Sequence, residues 1–180
     1  MASRMQARNF ANAMALGLLL ACGAAAQDRT AVRASLAACG PKGVNFAVSK
    51  DKSQHPTPAP ETGKARVYLA GDATFAVDGR WIGKSTSTTY FSVLLDPGAH
   101  HVCARYAHWL PYYGIIYVWT KVTAYSVHSL DAEAGGVYYF GPQGNPGNPA
   151  AIAGFEILQY DSEEGARIVA ASKFSTSRPK

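Results

Sequence analysis

The stretch from Val77 to Tyr106, VDGRWIGKSTSTTYFSVLLDPGAHHVCARY, constrains the fold more than any other part of the sequence. Tyr90 to Leu95 alternates, with Phe91, Val93 and Leu95 on one side and Tyr90, Ser92 and Leu94 on the other. A period of two is the mark of a strand with one face buried. Asp96-Pro97-Gly98 breaks the pattern. Proline presets the first central turn position and glycine supplies a positive φ at the second, which predicts a type II turn. From His100 the extended pattern resumes, with His100, Val102, Ala104 and Tyr106 on one face. Upstream, Phe75 to Gly83 reads as two short strands around an Asp78-Gly79 hairpin turn. The block is expected to be a small antiparallel meander.

The same reading extends along the chain. Strands are expected over Val44 to Val48, Lys64 to Ala70, Val122 to Leu130, Val137 to Phe140 and Phe155 to Tyr160. Asp28 to Cys39 is expected to form a short helix, stopped by Gly40-Pro41. Asp161-Ser162-Glu163-Glu164 has the form of a capping box, which predicts a second helix continuing to about Ser172. Lys50 to Gly63, with Pro56, Pro58 and Pro60, reads as a linker or extended arm. Gly141 to Pro149 has no periodicity, and Phe174 to Lys180 reads as a flexible tail. The expected fold class is all-β and mainly antiparallel. It is a β-sandwich or partly closed barrel of about seven strands, with short N-terminal and C-terminal helices. Its division is a leader over 1–26, a helix and Pro-rich arm over 27–63, a β-domain over 64–173 and a tail over 174–180.

Several of these residues carry a resemblance. Val77-Asp78-Gly79, Gly83, Tyr90-Phe91, Leu95 to His100 and Ala132 to Phe140 form a DG…YF…LxPGxH…AGxxYYF pattern. The pattern resembles a family of bacterial exported and lipoprotein domains of unknown function, similar to the PEGA-type β-domains of cell surfaces. It covers roughly Lys64 to Lys173, most of one domain of ordinary size. The resemblance implies the fold and an envelope setting, and it carries over no catalytic residue.

The amino terminus points the same way. Arg4 and Arg8 precede an apolar run over Ala13 to Ala21, and Ala24-Ala25-Ala26 offers an A-x-A cleavage site before Gln27. That is the layout of a secretory signal peptide, so the chain is expected to be exported to the periplasm or beyond. Leu19-Leu20-Ala21-Cys22 also resembles a lipobox, and lipidation of Cys22 is the alternative. Membrane attachment would then run through that lipid alone. With Cys22 lost or lipidated, Cys39 and Cys103 remain as an even pair for an oxidising compartment. The alternative is two buried thiols that never meet.

Chemistry is harder to find. His100 and His101 are adjacent in a strand and face opposite ways, so they cannot share a metal, and neither His108 nor His128 completes a ligand set. The sequence has no G-x-S-x-G elbow and no β-lactamase-type motif set. Neither a metal nor another cofactor is therefore expected, and no catalytic residue is assigned. Lys plus Arg number 17 against 12 acids, and loss of Arg4 and Arg8 leaves 15 − 12 = +3. Those cations are scattered along the sequence, which argues against nucleic acid as a partner.

The anomaly is Ala107 to Trp119, AHWLPYYGIIYVW. Trp109, Tyr112, Tyr113, Tyr117 and Trp119 crowd a stretch broken by Pro111 and Gly114, which reads as a hairpin projecting around Leu110 to Gly114. Two readings stay open: rings folded back to extend the core, or an exposed platform. The functional expectation is a non-catalytic binding or structural module of the bacterial envelope, whose partner is an envelope protein or glycan. The alternative is a carbohydrate or small-ligand binder using residues 107–119.

Overall fold

The computed structural model describes residues 39–40, 44–113, 117–143 and 155–180; for 108–113, 117–120 and 122 it describes the backbone alone. Among the described residues ten strands form two sheets of a sandwich, not a closed barrel, and there is one helix. The strands are β1 Phe46–Asp51, β2 Ala65–Ala70, β3 Ala73–Val77, β4 Arg80–Ser85 and β5 Thr89–Leu95. They continue as β6 Gly98–Tyr113, β7 Tyr117–Ala132, β8 Val137–Pro142, β9 Ile157–Tyr160 and β10 Lys173–Pro179, with helix α1 over Ser162–Ala171. The six-stranded sheet runs β1-β10-β5-β2-β8-β9 and the four-stranded sheet runs β4-β3-β6-β7.

The strand faces follow the alternation. Phe91 enters the inter-sheet core, with Val93 and Leu95 against it, while Tyr90 joins a second cluster on the other side of the six-stranded sheet. Val102 and Ala104 are fully buried in the same inter-sheet core with Phe75, Leu69 and Phe140. β2 is buried along its whole length. Its Val67 and Leu69 meet the other sheet, and its Tyr68 and Ala70 lie under α1. Such a strand, covered on both faces, is apolar apart from Arg66, which donates to the Ala59 carbonyl and the Ser92 hydroxyl.

The expected meander is corrected. Asp78 and Gly79 both adopt positive φ, 47° and 76°, the signature of a type I′ hairpin turn joining β3 and β4. But β5 belongs to the six-stranded sheet and β6 to the four-stranded one. The Asp96-Pro97-Gly98 turn is therefore an arch between sheets, with Gly98 at φ 129°. Side-chain period is the same on either side of an arch or a hairpin, so alternation cannot tell them apart.

Two other boundaries change. Residues 174–180 are not a frayed tail, because β10 pairs with β1 from Phe46↔Pro179 to Asp51↔Phe174 and touches β5 in parallel. The β-domain accordingly starts before residue 64, since β1 is one of its strands. The Pro-rich arm is fastened to it: Tyr90 Oη donates to the Pro56 carbonyl at 2.9 Å and Tyr68 Oη to the Pro58 carbonyl at 3.1 Å. Burial pushes the Tyr90 phenol up to about 12, with Tyr68 beside it adding to the shift, so it stays a donor at neutral pH. The expected helix over Asp28 to Cys39, like the leader over 1–26, lies outside the described residues apart from Cys39 itself.

Helix α1 begins as its sequence predicts. The Asp161 carboxylate accepts from the Glu164 amide at 2.8 Å, and Glu163 and Glu164 sit in the first turn, where the helix dipole favours negative charge. Gly165 and Val169 form its buried side. A Cβ on Gly165 would run into the Tyr139 ring, so the glycine lets the helix lie flat on β8.

Candidate functional site

β6 and β7 are 16 residues each and pair from Gly98↔Ala132 to Tyr113↔Tyr117. β3 lies beside β6 only from Val102 to Arg105. Beyond Arg105 the hairpin continues as a ribbon of two strands for 113 − 105 = 8 residues of β6. At about 3.4 Å per residue that is roughly 27 Å. The pairing runs straight through Pro111, opposite Trp119, which corrects the expectation that proline would interrupt a regular strand there. Past Arg105 the sheet leaves β6 with β7 on one side only, and proline's missing donor is tolerated on such an edge.

All five aromatic residues singled out in the sequence fall in this ribbon. The register sets Trp109 opposite Lys121, Pro111 opposite Trp119, Tyr112 opposite Val118 and Tyr113 opposite Tyr117. By strand parity, Trp109, Tyr113, Tyr117 and Trp119 occupy one face of the ribbon and Tyr112 the other. Their side chains lie outside the described residues.

At the root of the ribbon the outer face of the four-stranded sheet is built in cross-strand rows. One row holds Trp81, Ala76, Cys103 and Val127, and Cys39 packs onto it. Cys39 and Cys103 are disulfide-bonded, with Cα atoms 5.2 Å apart and both residues buried. This is the pairing expected from the cysteine count. Gly40, at φ 90°, then passes directly against the Gly79 carbonyl, an approach that a side chain would block.

The next row holds Lys84, Thr74, Arg105 and Tyr125. Here a cleft of about 290 Å³ opens, lined by Lys84, Arg105, Lys121 and Lys180 with Asp72 as its one carboxylate side chain. Lys84 Nζ lies 3.9 Å from the Asp72 carboxylate. Arg105 is held from two sides: its Nη2 donates to the Val44 carbonyl at 2.7 Å, and its guanidinium carbon sits 4.9 Å from the Trp81 ring centre. Arg105 Nε and Trp81 Nε1 are buried with no hydrogen-bond partner among the described residues. Sequence reasoning found these cations scattered, and no local signal joins residues 84, 105, 121 and 180. Only the long-range register brings them together.

The described histidine side chains do not converge, and that of His108 lies outside the described residues. His100 Nδ1 lies 2.7 Å from the Asp78 carboxylate and its Nε2 lies 2.8 Å from the Asp96 carbonyl. Both partners are acceptors, so the ring satisfies both only as the imidazolium. The Asp78 bond raises the His100 pKa above its ordinary value despite burial, which opposes it. Burial pushes Asp78 up, but its bonds to His100 and to the His101 amide outweigh that and hold it low. Asp78 thus fastens the β3–β4 turn to the start of β6. His128 packs edge-on against Phe140 in the core and His55 against Tyr90. Among the described residues no three His, Cys, Asp or Glu side chains are grouped to hold a metal ion. Cys22, the alternative lipidation site, lies outside the described residues. Compared with known proteins, the chain matches no family, no curated protein and no solved structure.

Proposed function

We propose that this chain is an exported, non-catalytic binding module of the bacterial cell envelope, and that the β6–β7 ribbon is its binding element. The observation that carries the reading is the ribbon's length. Two neighbouring antiparallel strands need a connection of only a few residues. This hairpin instead runs eight residues beyond the last β3 contact. A two-stranded ribbon is only marginally stable by itself, so extending one with five Trp and Tyr residues is costly unless those rings meet something. Export is supported by the leader-like amino terminus and by the Cys39–Cys103 bond, because such bonds persist in oxidising compartments. The resemblance to exported surface β-domains agrees with that setting.

Carbohydrate binding is a more specific form of the same reading. It is favoured by the parity of Trp109, Tyr113, Tyr117 and Trp119, which suits a row of stacking rings. The test is co-sedimentation with isolated bacterial envelopes, before and after protease treatment of the envelopes. The wild-type protein should pellet and the Trp109→Ala/Tyr113→Ala/Trp119→Ala variant should stay in the supernatant. Binding that survives protease identifies a glycan or lipid, and binding lost to it identifies a protein. Equal pelleting of variant and wild type would refute the reading.

A further inference from the structure

The geometry at the root of the ribbon points to a second site: we propose that the cleft binds a small phosphorylated ligand, with Lys84, Arg105 and Lys121 around the phosphoryl group. None of the five ribbon rings takes part, although Lys121 lies in the ribbon opposite Trp109, so the cleft stands if the rings bind nothing.

Charge is the first part. Four Lys and Arg residues line the cleft, and Asp72 is the one Asp or Glu among its lining residues. Its 3.9 Å separation from Lys84 is at the outer limit of an ion pair, and the Lys84 side chain keeps 38% of its exposure. Like charges gathered in a concavity focus the field there and favour an anion.

Preorganisation is the second. Arg105 is already fixed by the Val44 carbonyl and the Trp81 ring, so little side-chain freedom is lost when it meets an anion. Lys84 is carried on backbone that is itself clamped. Its amide donates to Ser177 Oγ at 3.0 Å, and Ser177 Oγ donates to its carbonyl at 2.7 Å.

Ligand size and charge are the third. A phosphate monoester carries about −1.5 to −2 charges at pH 7 and three acceptor oxygens, a better match to three cations than one carboxylate. The 290 Å³ of the cleft lies near the lower end of small-ligand sites, about 300–1,000 Å³. That leaves room for a body of glycerol or sugar size beside the phosphoryl group, over Tyr106 and Asn45.

Titration calorimetry with glycerol 3-phosphate, and with glycerol as the neutral control, tests the site directly. Vesicles of phosphatidylcholine with and without phosphatidylglycerol form a second arm, separating a soluble phosphate ester from a lipid headgroup. Glycerol 3-phosphate or the anionic vesicles should bind, their neutral counterparts should not, and added salt should weaken the binding. Lys84→Gln/Lys121→Gln should weaken it by roughly tenfold or more, since charge-assisted hydrogen bonds are the strong ones. The melting temperature confirms that the variant is folded, and Lys180→Gln, at an exposed rim position, gives a smaller loss should the double variant fail to fold. Failure of both phosphorylated probes to bind, or binding unchanged in the lysine variants, would overturn the proposal.

Discussion

Reducing the Cys39–Cys103 bond should cost this fold about 4 kcal/mol. The bond spans 64 residues of sequence. In the chain-entropy account, closing a loop of that length removes about 14 cal/mol/K from the unfolded ensemble, or roughly 4 kcal/mol at 25 °C. Both cysteines are buried against Ala76, with Trp81 and Val127 beside them, so reduction also leaves two thiols in a packed apolar cluster. For a chain of this size, about 1 kcal/mol moves the melting temperature by roughly 2–4 °C, which predicts a fall of roughly 8–16 °C. The assay is guanidinium or thermal unfolding of the protein with and without dithiothreitol. A Cys39→Ala/Cys103→Ala variant serves as the control and should melt low and ignore the reductant. Two titratable thiols in the unreduced, unfolded protein, or a reductant shift below about 1 kcal/mol, would refute the reasoning.

Three further outcomes follow from the packing. His100 has a raised pKa, so its ion pair with Asp78 stabilises the fold fully below the ordinary value of 6.5, and that contribution is lost as pH rises through the folded-state value. The stability gap between wild type and His100→Gln should therefore be largest near pH 6, its charge-dependent part below about 1 kcal/mol because the Asp78 side chain is 48% exposed, and should shrink at alkaline pH. Asp78 has the opposite sign: its contribution is present above the ordinary value of 3.8 and disappears as the solution is acidified through its lowered folded value. Gly165→Ala should destabilise by about 1–3 kcal/mol in urea unfolding, although alanine gains about 1 kcal/mol in helix propensity, because its Cβ would overlap the Tyr139 ring. Truncation after Ser172 should abolish cooperative unfolding, since β10 joins β1 to β5; a truncated chain that melts like the full one would contradict this.

Much of the sandwich can be read along the chain, because burial follows local alternation. The faces of Tyr90 to Leu95 and of His100 to Tyr106, the Asp78-Gly79 turn and the Asp161 cap depend on neighbours within a few residues. What escaped depends on distant partners. β10 reads as a tail because its inward residue is a serine, and Ser175 Oγ is fully buried only by donating to the Tyr90 carbonyl. The arch at Asp96-Pro97-Gly98 uses the same turn residues as a hairpin, and only the sheet assignment of β5 and β6 separates the two. The ribbon's aromatic content was plain, but its continuity through Pro111 rests on β6 being an edge there, which no local pattern reveals. The cationic cleft is the extreme case, with lining residues as far apart as Asn45 and Lys180.

The central claim is that the ribbon binds and does not hold the fold together. The direct measurement replaces residues 108–122 with Asn-Gly, so that Ala107 and Thr123, already opposite each other, close a tight hairpin. Melting temperature and envelope co-sedimentation are then measured on the same preparation. The account predicts a melting temperature within a few degrees of wild type together with loss of envelope binding, whereas Lys121→Gln, which removes only the cleft cation that the shortening also deletes, should still pellet. A protein that unfolds early, or a shortened protein that still pellets with envelopes, would contradict it.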